Sequence, residues 1–330
     1  MTPTRESGEA VRLTMTEPAP THPDISIVVP GLNEAPSLPE LARRVRETLQ
    51  DEESYELLFV DDGSTDDSWS VIQSLHLQDP RVRGIRLRRN FGKAMALAAG
   101  FSECRGQLLV MMDADLQDDP GDLPNFLRAA RTELDVVVGW KVSRQDPLSR
   151  RIFSKVFNST VGYFTGVRLH DMNCGFKAYR REVIETVPIY GDLFRFIPVL
   201  AAADGFRVGE IPVTHHARAF GRSRYGFERI LRGFFDLMTV IFLTRYARKP
   251  MHLFCFLGLI TGLCGAALAT YLTIIWLTGT GIGSRPLLLL SVMLMVMGVQ
   301  LTSLGFIGEF LTYQNQKRSY TDQHPVRERT

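Results

Sequence analysis

Asp113 and Asp115 stand one residue apart at the end of an apolar run, Leu108 to Met112, that has the length and composition of a buried strand. Carboxylates delivered to a strand end are hard oxygen donors. They suit Mg2+ or Mn2+, ions that bind through one or two protein carboxylates and complete their shell with water and substrate phosphates. An isolated Asp-x-Asp is most often a solvated acidic loop closed by a proline such as Pro120. Here the buried strand before the pair and the Leu116-Gln117-Asp118-Asp119-Pro120 stretch after it narrow that choice.

The elements that must position these carboxylates precede them in a regular alternation. Asp24 to Pro30 reads as a first strand leaving through the turn Gly31-Leu32-Asn33-Glu34, and a helix follows from Leu38 to Leu49. Tyr55 to Val60 is a second strand running into Asp61-Asp62-Gly63-Ser64-Thr65-Asp66, where Ser64 or Thr65 is the expected cap of a helix from Asp67 to Leu77. Arg83 to Leu87 makes a third strand, and a helix from about Lys93 to Ser102 leads to the central one. The fold class is therefore α/β with a mainly parallel, Rossmann-like sheet, whose ligand lies beyond the carboxyl ends of the strands. One rim receives Pro30, Asn33 and Glu34, then Asp61 and Asp62, then Asp113 and Asp115. Asp66 and Asp67 read as helix-capping residues. Asp61 and Asp62, entered straight from a buried strand, offer acceptors for a ribose hydroxyl or a base N–H. No Gly-x-Gly-x-x-Gly follows the first strand and no Walker lysine loop is present, so phosphates are expected to be held through a metal.

Composition sets the outer bounds. A chain of 330 residues that is 45% hydrophobic has room for one sizeable α/β core and something smaller. A formal net charge of +2, with acids balancing the bases, argues against a nucleic-acid partner. Cys104, Cys174, Cys255 and Cys264 lack paired zinc spacing and read as reduced thiols. The first 23 residues lack the apolar core of a signal peptide and read as a disordered tail.

Val28-Val29-Pro30-x-x-Asn33-Glu34, Val60-Asp61-Asp62-Gly63-Ser64-Thr65-Asp66 and Asp113-Ala114-Asp115-Leu116-Gln117 together resemble the family 2 inverting glycosyltransferases. Within that family the chain is similar to the polyisoprenyl-phosphate glycosyltransferases, the dolichyl-phosphate-mannose-synthase-like branch, from about Asp24 through the C-terminal apolar segments. The resemblance implies a GT-A fold, a divalent metal (Mg2+ or Mn2+) and a UDP- or GDP-linked nucleotide-sugar donor. By matching positions, Asp113, Asp115 and Gln117 surround metal and diphosphate. Pro30, Glu34 and Asp61 contact the nucleotide, with Asn33 and Asp62 in the same donor site.

The next stretch has two readings. Val136 to Lys141 is a further strand entering a basic turn, and Leu148 to Phe157 is amphipathic at helical spacing, with Arg150, Arg151 and Lys155 beside an apolar face. A surface helix packed on the sheet explains that face as well as a lipid contact does. The resemblance places the acceptor phosphate of a polyisoprenyl phosphate (undecaprenyl or dolichyl) on Lys141, Arg150 and Ser154. Where the family often has Arg, Lys141 holds phosphate as a point charge without the fork geometry. Asp171 matches the acidic residue near the sugar's anomeric carbon. An acceptor phosphate is already anionic near neutral pH, its second pKa being about 6, so a general base is not strictly required and Asp171 is expected to orient the acceptor more than deprotonate it. Arg218, Ser223 and Arg224 match the loop that closes over the donor diphosphate, with Arg in place of the usual Lys. The adjacent His215 and His216 point to opposite faces if extended, which disfavours a shared ion.

His252 to Ser284 contains no charged residue and Pro286 to Gly308 is similarly apolar, so each is long enough to span a bilayer. Arg245, Arg248 and Lys249 precede the first span and Lys317 and Arg318 follow the second. The positive-inside bias then leaves the catalytic part and both termini in the cytoplasm, at the inner or ER membrane. Phe227 to Leu243 reads as a helix lying along the membrane surface. Gly258, Gly262 and Gly265 permit close packing between spans or between protomers of a homo-oligomer. The expected organisation is a tail (1–23), a catalytic domain (24–226), a juxtamembrane helix (227–250), two spans (251–312) and a basic tail (313–330). The rival readings are a catalytically silent nucleotide-binding membrane scaffold and a flippase accessory. A processive polysaccharide synthase is disfavoured because no Gln-x-x-Arg-Trp segment occurs.

Overall fold

Runs of β-branched and aromatic residues with no polar alternation build strands buried on both faces, and the first of these form the centre of the sheet. The computed structural model describes residues 23–49, 54–142, 148–187, 191–216, 228–246, 249–279, 281 and 286–319, with backbone alone for 148–156, 191–192, 228–234 and 315–319. In chain order the first elements are β1 (Ile25–Gly31), α1 (Leu38–Thr48), β2 (Tyr55–Asp61), α2 (Ser68–Gln78), β3 (Val82–Arg86), α3 (Lys93–Glu103), β4 (Leu108–Met111) and α4 (Leu123–Thr132). They are followed by β5 (Val136–Lys141), α5 (Leu148–Thr165), β6 (Lys177–Arg180), α6 (Arg181–Thr186), α7 (Ile197–Ala203), β7 (Val208–Val213), α8 (Glu228–Ile241), α9 (Pro250–Leu277) and α10 (Pro286–Ser319). The chain divides into two compact units, Met1–Glu133 with Gly175–Thr186 and Val213–Phe220, and Leu134–Cys174 with Val187–Pro212 and Gly221–Thr330.

In the first unit the strand order is β3-β2-β1-β4-β6. β1 pairs in parallel with β2 and β4, and β2 with β3, as the strand–helix alternation requires. β6 runs antiparallel to β4, placing Lys177 opposite Met111, and it modifies the expectation of a mainly parallel sheet. The helices cover the sheet through apolar positions at helical spacing: Leu38, Leu41 and Val45 on α1, and Leu123, Phe126, Leu127 and Ala130 on α4. Phe126 stacks on Phe176 with ring centroids 4.0 Å apart.

A buried polar network ties three strands together below this core. Glu56 is almost fully buried; its Oε1 accepts Ser26 Oγ–H at 2.5 Å and the Arg105 N–H at 2.7 Å, and Oε2 accepts from Arg83 Nη1 at 2.5 Å. Burial raises the Glu56 pKa, but the Ser26, Arg105 and Arg83 hydrogen bonds outweigh it and hold the group below its ordinary value. A carboxyl with a depressed folded-state pKa contributes stability above its unfolded pKa and loses it as pH falls through the folded value. Glu56→Gln is therefore expected to cost about 2 kcal/mol at pH 7 and much less at pH 3, read by thermal unfolding in detergent. An equal cost at both pH values would remove the charge from this account.

In the second unit β5 and β7 are neighbours, joined at their start by the Asp135 N–H donating to Arg207 O at 2.8 Å. α8 lies within the expected 227–243 stretch and continues as a π-helical turn, Phe242–Tyr246. α9 and α10 are long and apolar enough to cross a membrane, with mean hydropathy 2.0 and 2.1 in their most apolar windows. Only 11% of each window is buried, where the core helix of a soluble protein is mostly covered. α10 begins where expected but continues beyond Gly308 to Ser319. Glu309 there accepts the Met251 N–H at 3.3 Å, satisfying one donor at the start of α9. The small residues of α9 face α10 of the same chain: a Cβ on Gly258 would lie 2.7 Å from Gly298 O.

Candidate active site at the strand ends

The segments leaving β1, β2 and β4 emerge together, because pairing sets Gly31 beside Asp61 and Val28 beside Met111. From β1 the chain steps outward through β2 to β3, then returns to lay β4 on the other side of β1. Such a switch point opens a crevice at the strands' carboxyl ends. Pro30, Glu34, Asp62, Lys93, Asp113 and Asp115 line a cavity of about 330 Å3 there.

Two loops of this rim are bolted to each other. Asn33 has φ of 59°, a left-handed conformation that Asn tolerates. Its Oδ1 accepts the Thr65 N–H at 2.9 Å, and its own N–H donates to Ser64 Oγ at 2.9 Å. The Glu34 N–H donates to Ser68 Oγ at 3.0 Å. Neither Ser64 nor Thr65 caps α2, which corrects the expectation above. Asp67 holds the N-cap position without a side-chain bond, and Asp66 accepts the Ser68 N–H at 3.0 Å. The reason is competition, since the Ser64 hydroxyl is already engaged by Asn33.

The two aspartates that end β2 have different surroundings. Asp61 is buried, its Oδ1 accepting the Ser64 N–H at 2.8 Å and its Oδ2 lying 3.3 Å from Arg86 Nε. Asp62 accepts the Phe91 N–H at 2.8 Å on one oxygen and the Gly92 N–H at 2.9 Å on the other. Asp62 thus shapes the turn that starts α3, and α3 brings Lys93 into the cleft. Lys93 forms an ion pair with Asp113 Oδ1, a partner not identified from the sequence although the residue follows the basic run Arg88-Arg89. Gly175 makes room for the same carboxylate: a Cβ there would lie 2.5 Å from Asp113 Oδ2.

Asp115 is nearly buried, and its Oδ1 accepts the Gln117 N–H at 3.2 Å. Between them Leu116 has φ of 58°, uncommon for a residue with a bulky side chain and a sign of a turn held by its surroundings. Those surroundings are the residues after β7. The His216 N–H donates to Gln117 O at 2.8 Å, Asp118 and His215 form an antiparallel bridge, and the Thr214 N–H donates to Asp122 Oδ2 at 2.7 Å. His216 Nε2 is 2.8 Å from Asp119 Oδ2 and His215 Nδ1 is 3.5 Å from Asp118 Oδ1, so each histidine addresses its own carboxylate. Burial pushes the Asp119 pKa up, but the His216 ring and the Gly121 amide pull it below the ordinary value.

Asp113 and Asp115 both line this cavity and offer hard carboxylate oxygens that suit a divalent cation. Among the described residues no group of three or more His, Cys, Asp or Glu gathers to hold an ion, so water and ligand phosphates would supply most of the shell, a division that suits Mg2+ or Mn2+. Of the residues expected on the acceptor side, Lys141 is half-buried at the end of β5 and Asp171 is buried in the segment that follows α5 in the chain, both in the second unit. Arg150 and Ser154 lie in α5 where the backbone alone is described, and Arg218, Ser223 and Arg224 lie outside the described residues.

A mixed α/β sheet with an acidic crevice at its switch point defines a GT-A-like protein. The chain belongs to glycosyl transferase family 2, whose model matches residues 26–187. It is 38% identical over 92% of its length to dodecaprenyl-phosphate galacturonate synthase of Rhizobium johnstonii, of which it covers 92%. It is 36% identical over 87% of its length to undecaprenyl-phosphate 4-deoxy-4-formamido-L-arabinose transferase of Pseudomonas aeruginosa, of which it covers 84%. The fold is similar to that of glucosyl-3-phosphoglycerate synthase from Mycobacterium tuberculosis, solved with Mn2+, UDP and glucosyl-3-phosphoglycerate: TM-score 0.52 at 18% identity, over 67% of this chain and 80% of that one.

Proposed function

We propose that this glycosyltransferase moves a sugar from a nucleoside-diphosphate-linked donor to the phosphate of a polyisoprenyl phosphate, with inversion at the anomeric carbon. The observation that carries this reading is the extent of the likeness to two polyprenyl-phosphate sugar transferases, which runs over about nine-tenths of the chain. Pro30, Asn33, Glu34 and Asp61 hold the nucleotide, and Asp62 acts through the Phe91-Gly92 turn. Asp113, Asp115 and Gln117 face the donor diphosphate, and Arg218, Ser223 and Arg224 close over it. Asp113 and Asp115 would hold a divalent cation, which would supply charge neutralisation for the departing diphosphate. Lys141, Arg150 and Ser154 place the acceptor phosphate for in-line attack, where a fixed positive charge offsets its repulsion from the donor. Asp171 orients that phosphate. α9 and α10 anchor the chain in the bilayer where the lipid resides, with the catalytic part and the termini on the cytoplasmic side.

The test is a panel of UDP- and GDP-linked sugars given to the purified full chain with a polyprenyl phosphate. One donor is expected to yield a lipid-linked sugar phosphate of inverted configuration, and only when donor, divalent cation and lipid phosphate are all present. Equal nucleotide release without the lipid phosphate, or transfer to the unphosphorylated alcohol, would remove the proposed acceptor.

A further inference from the structure

His170, in the second unit, is held by four contacts. Trp140, the residue before Lys141 in β5, stacks on the imidazole with ring centroids 4.4 Å apart and planes 19° from parallel. Glu210 of β7 grips the same residue twice, Oε2 accepting the His170 N–H at 2.7 Å and Oε1 bonding to Nδ1. Asn158 of α5 donates from Nδ2 to His170 O at 2.5 Å. Despite this the His170 side chain is 66% exposed, whereas that of Glu210 is 16% exposed. A ring fixed on its face and at one nitrogen, yet mostly in solvent, adds little to a core. With Nδ1 committed to Glu210, Nε2 is the nitrogen left for a ligand.

The ring stack also has a consequence for its neighbours. Lys141 follows Trp140, and Asp171 follows His170, so the stack fastens together the two short segments that carry acceptor-side residues of the proposed reaction. We propose that His170 is itself a contact for the acceptor's anionic phosphate, donating from Nε2–H while Glu210 accepts from Nδ1–H. The carboxylate on one side and a phosphate oxygen on the other are both acceptors, so each ring nitrogen faces a group to which an N–H can donate. Trp140 and Glu210 are positioning residues for it. This inference rests on the polyisoprenyl-phosphate reading above.

The experiment uses the full chain in detergent with a short water-soluble prenyl phosphate. His170→Phe keeps an aromatic ring against Trp140 and deletes both nitrogens; Glu210→Gln keeps the shape and removes the charge. His170→Phe is expected to raise the acceptor KM about tenfold or more, with the donor KM within about twofold, and Glu210→Gln to shift the acceptor KM in the same direction by less. In the wild type, the Nε2 resonance of 15N-labelled His170 is expected to move on addition of prenyl phosphate and not of the parent alcohol. An unchanged acceptor KM with an unmoved resonance sinks the proposal, and so does a change confined to the donor KM. The resonance is read without turnover, so a chain that binds prenyl phosphate at His170 but transfers no sugar would overturn the proposed function and leave this site standing.

Discussion

Replacing Asp115 by Asn is expected to lower kcat/KM by at least about a thousandfold, some 4 kcal/mol of transition-state stabilisation, with the unfolding temperature nearly unchanged. The substitution conserves shape, and the amide oxygen can still accept the Gln117 N–H that Asp115 Oδ1 receives at 3.2 Å. The turn through Leu116 is therefore kept, while a negative charge is removed from the lining of the cavity. Asp62→Asn should give the opposite signature. Both oxygens of Asp62 accept backbone N–H groups, from Phe91 and Gly92, so an amide would set its own N–H against one of them. An unmade hydrogen bond to a buried charged acceptor costs about 1.5–3 kcal/mol, so Asp62→Asn should melt earlier. Thermal unfolding, donor kinetics and Mn2+ binding in the presence of nucleoside diphosphate separate the two. Asp115→Asn is expected to lose Mn2+ affinity along with turnover; retention of more than about a tenth of wild-type activity would mean that this carboxylate is not the metal-side donor.

How much of this was legible beforehand depended on whether a residue's partner lay within its own element. β1, β2 and β4 were legible because each is a mainly apolar run, interrupted only by Ser26 in β1 and Glu56 in β2, that stops at a turn or at charge, so the rim of Pro30, Asp61 and Asp113 followed from local pattern alone. The membrane-length helices were legible for the same reason. β6 was not, because Lys177-Ala178-Tyr179-Arg180 has no period and is charged at both ends; it is a strand through pairing with β4. The cap of α2 is not legible in sequence because Ser64 and Thr65 are good capping types, and their use by Asn33, more than 30 residues earlier, is a tertiary fact. Lys93 on Asp113 and the Trp140–His170–Glu210 cluster join positions 20 to 40 residues apart. No window of sequence contains both partners.

Two glycines on the facing surfaces of α9 and α10 should respond in opposite directions to an added side chain. In a bilayer the association of two apolar helices rests on close packing, since lipid tails are as apolar as leucine. A Cβ on Gly298 would lie 2.7 Å from Gly258 O and 2.8 Å from the N and Cα of Gly262. All three are backbone atoms, so no flexible side chain can move aside and the helices must separate. Gly298→Val is expected to cost about 3 kcal/mol, the upper end of overpacking penalties, and to lower the unfolding temperature of the detergent-solubilised chain. Gly262 looks equivalent in sequence, but a Cβ there meets only Gly298 Cα, at 4.0 Å, which is ordinary contact. Gly262→Ala should therefore keep the packing and gain up to about 1 kcal/mol from the lower backbone entropy of alanine in a helix. The pair tests the contact geometry, because glycine content alone predicts the same sign at both positions. Equal destabilisation at 262 and 298 would mean that α9 is rotated about its axis relative to the packing described, with Gly262 turned into the seam that Gly258 and Gly298 now form.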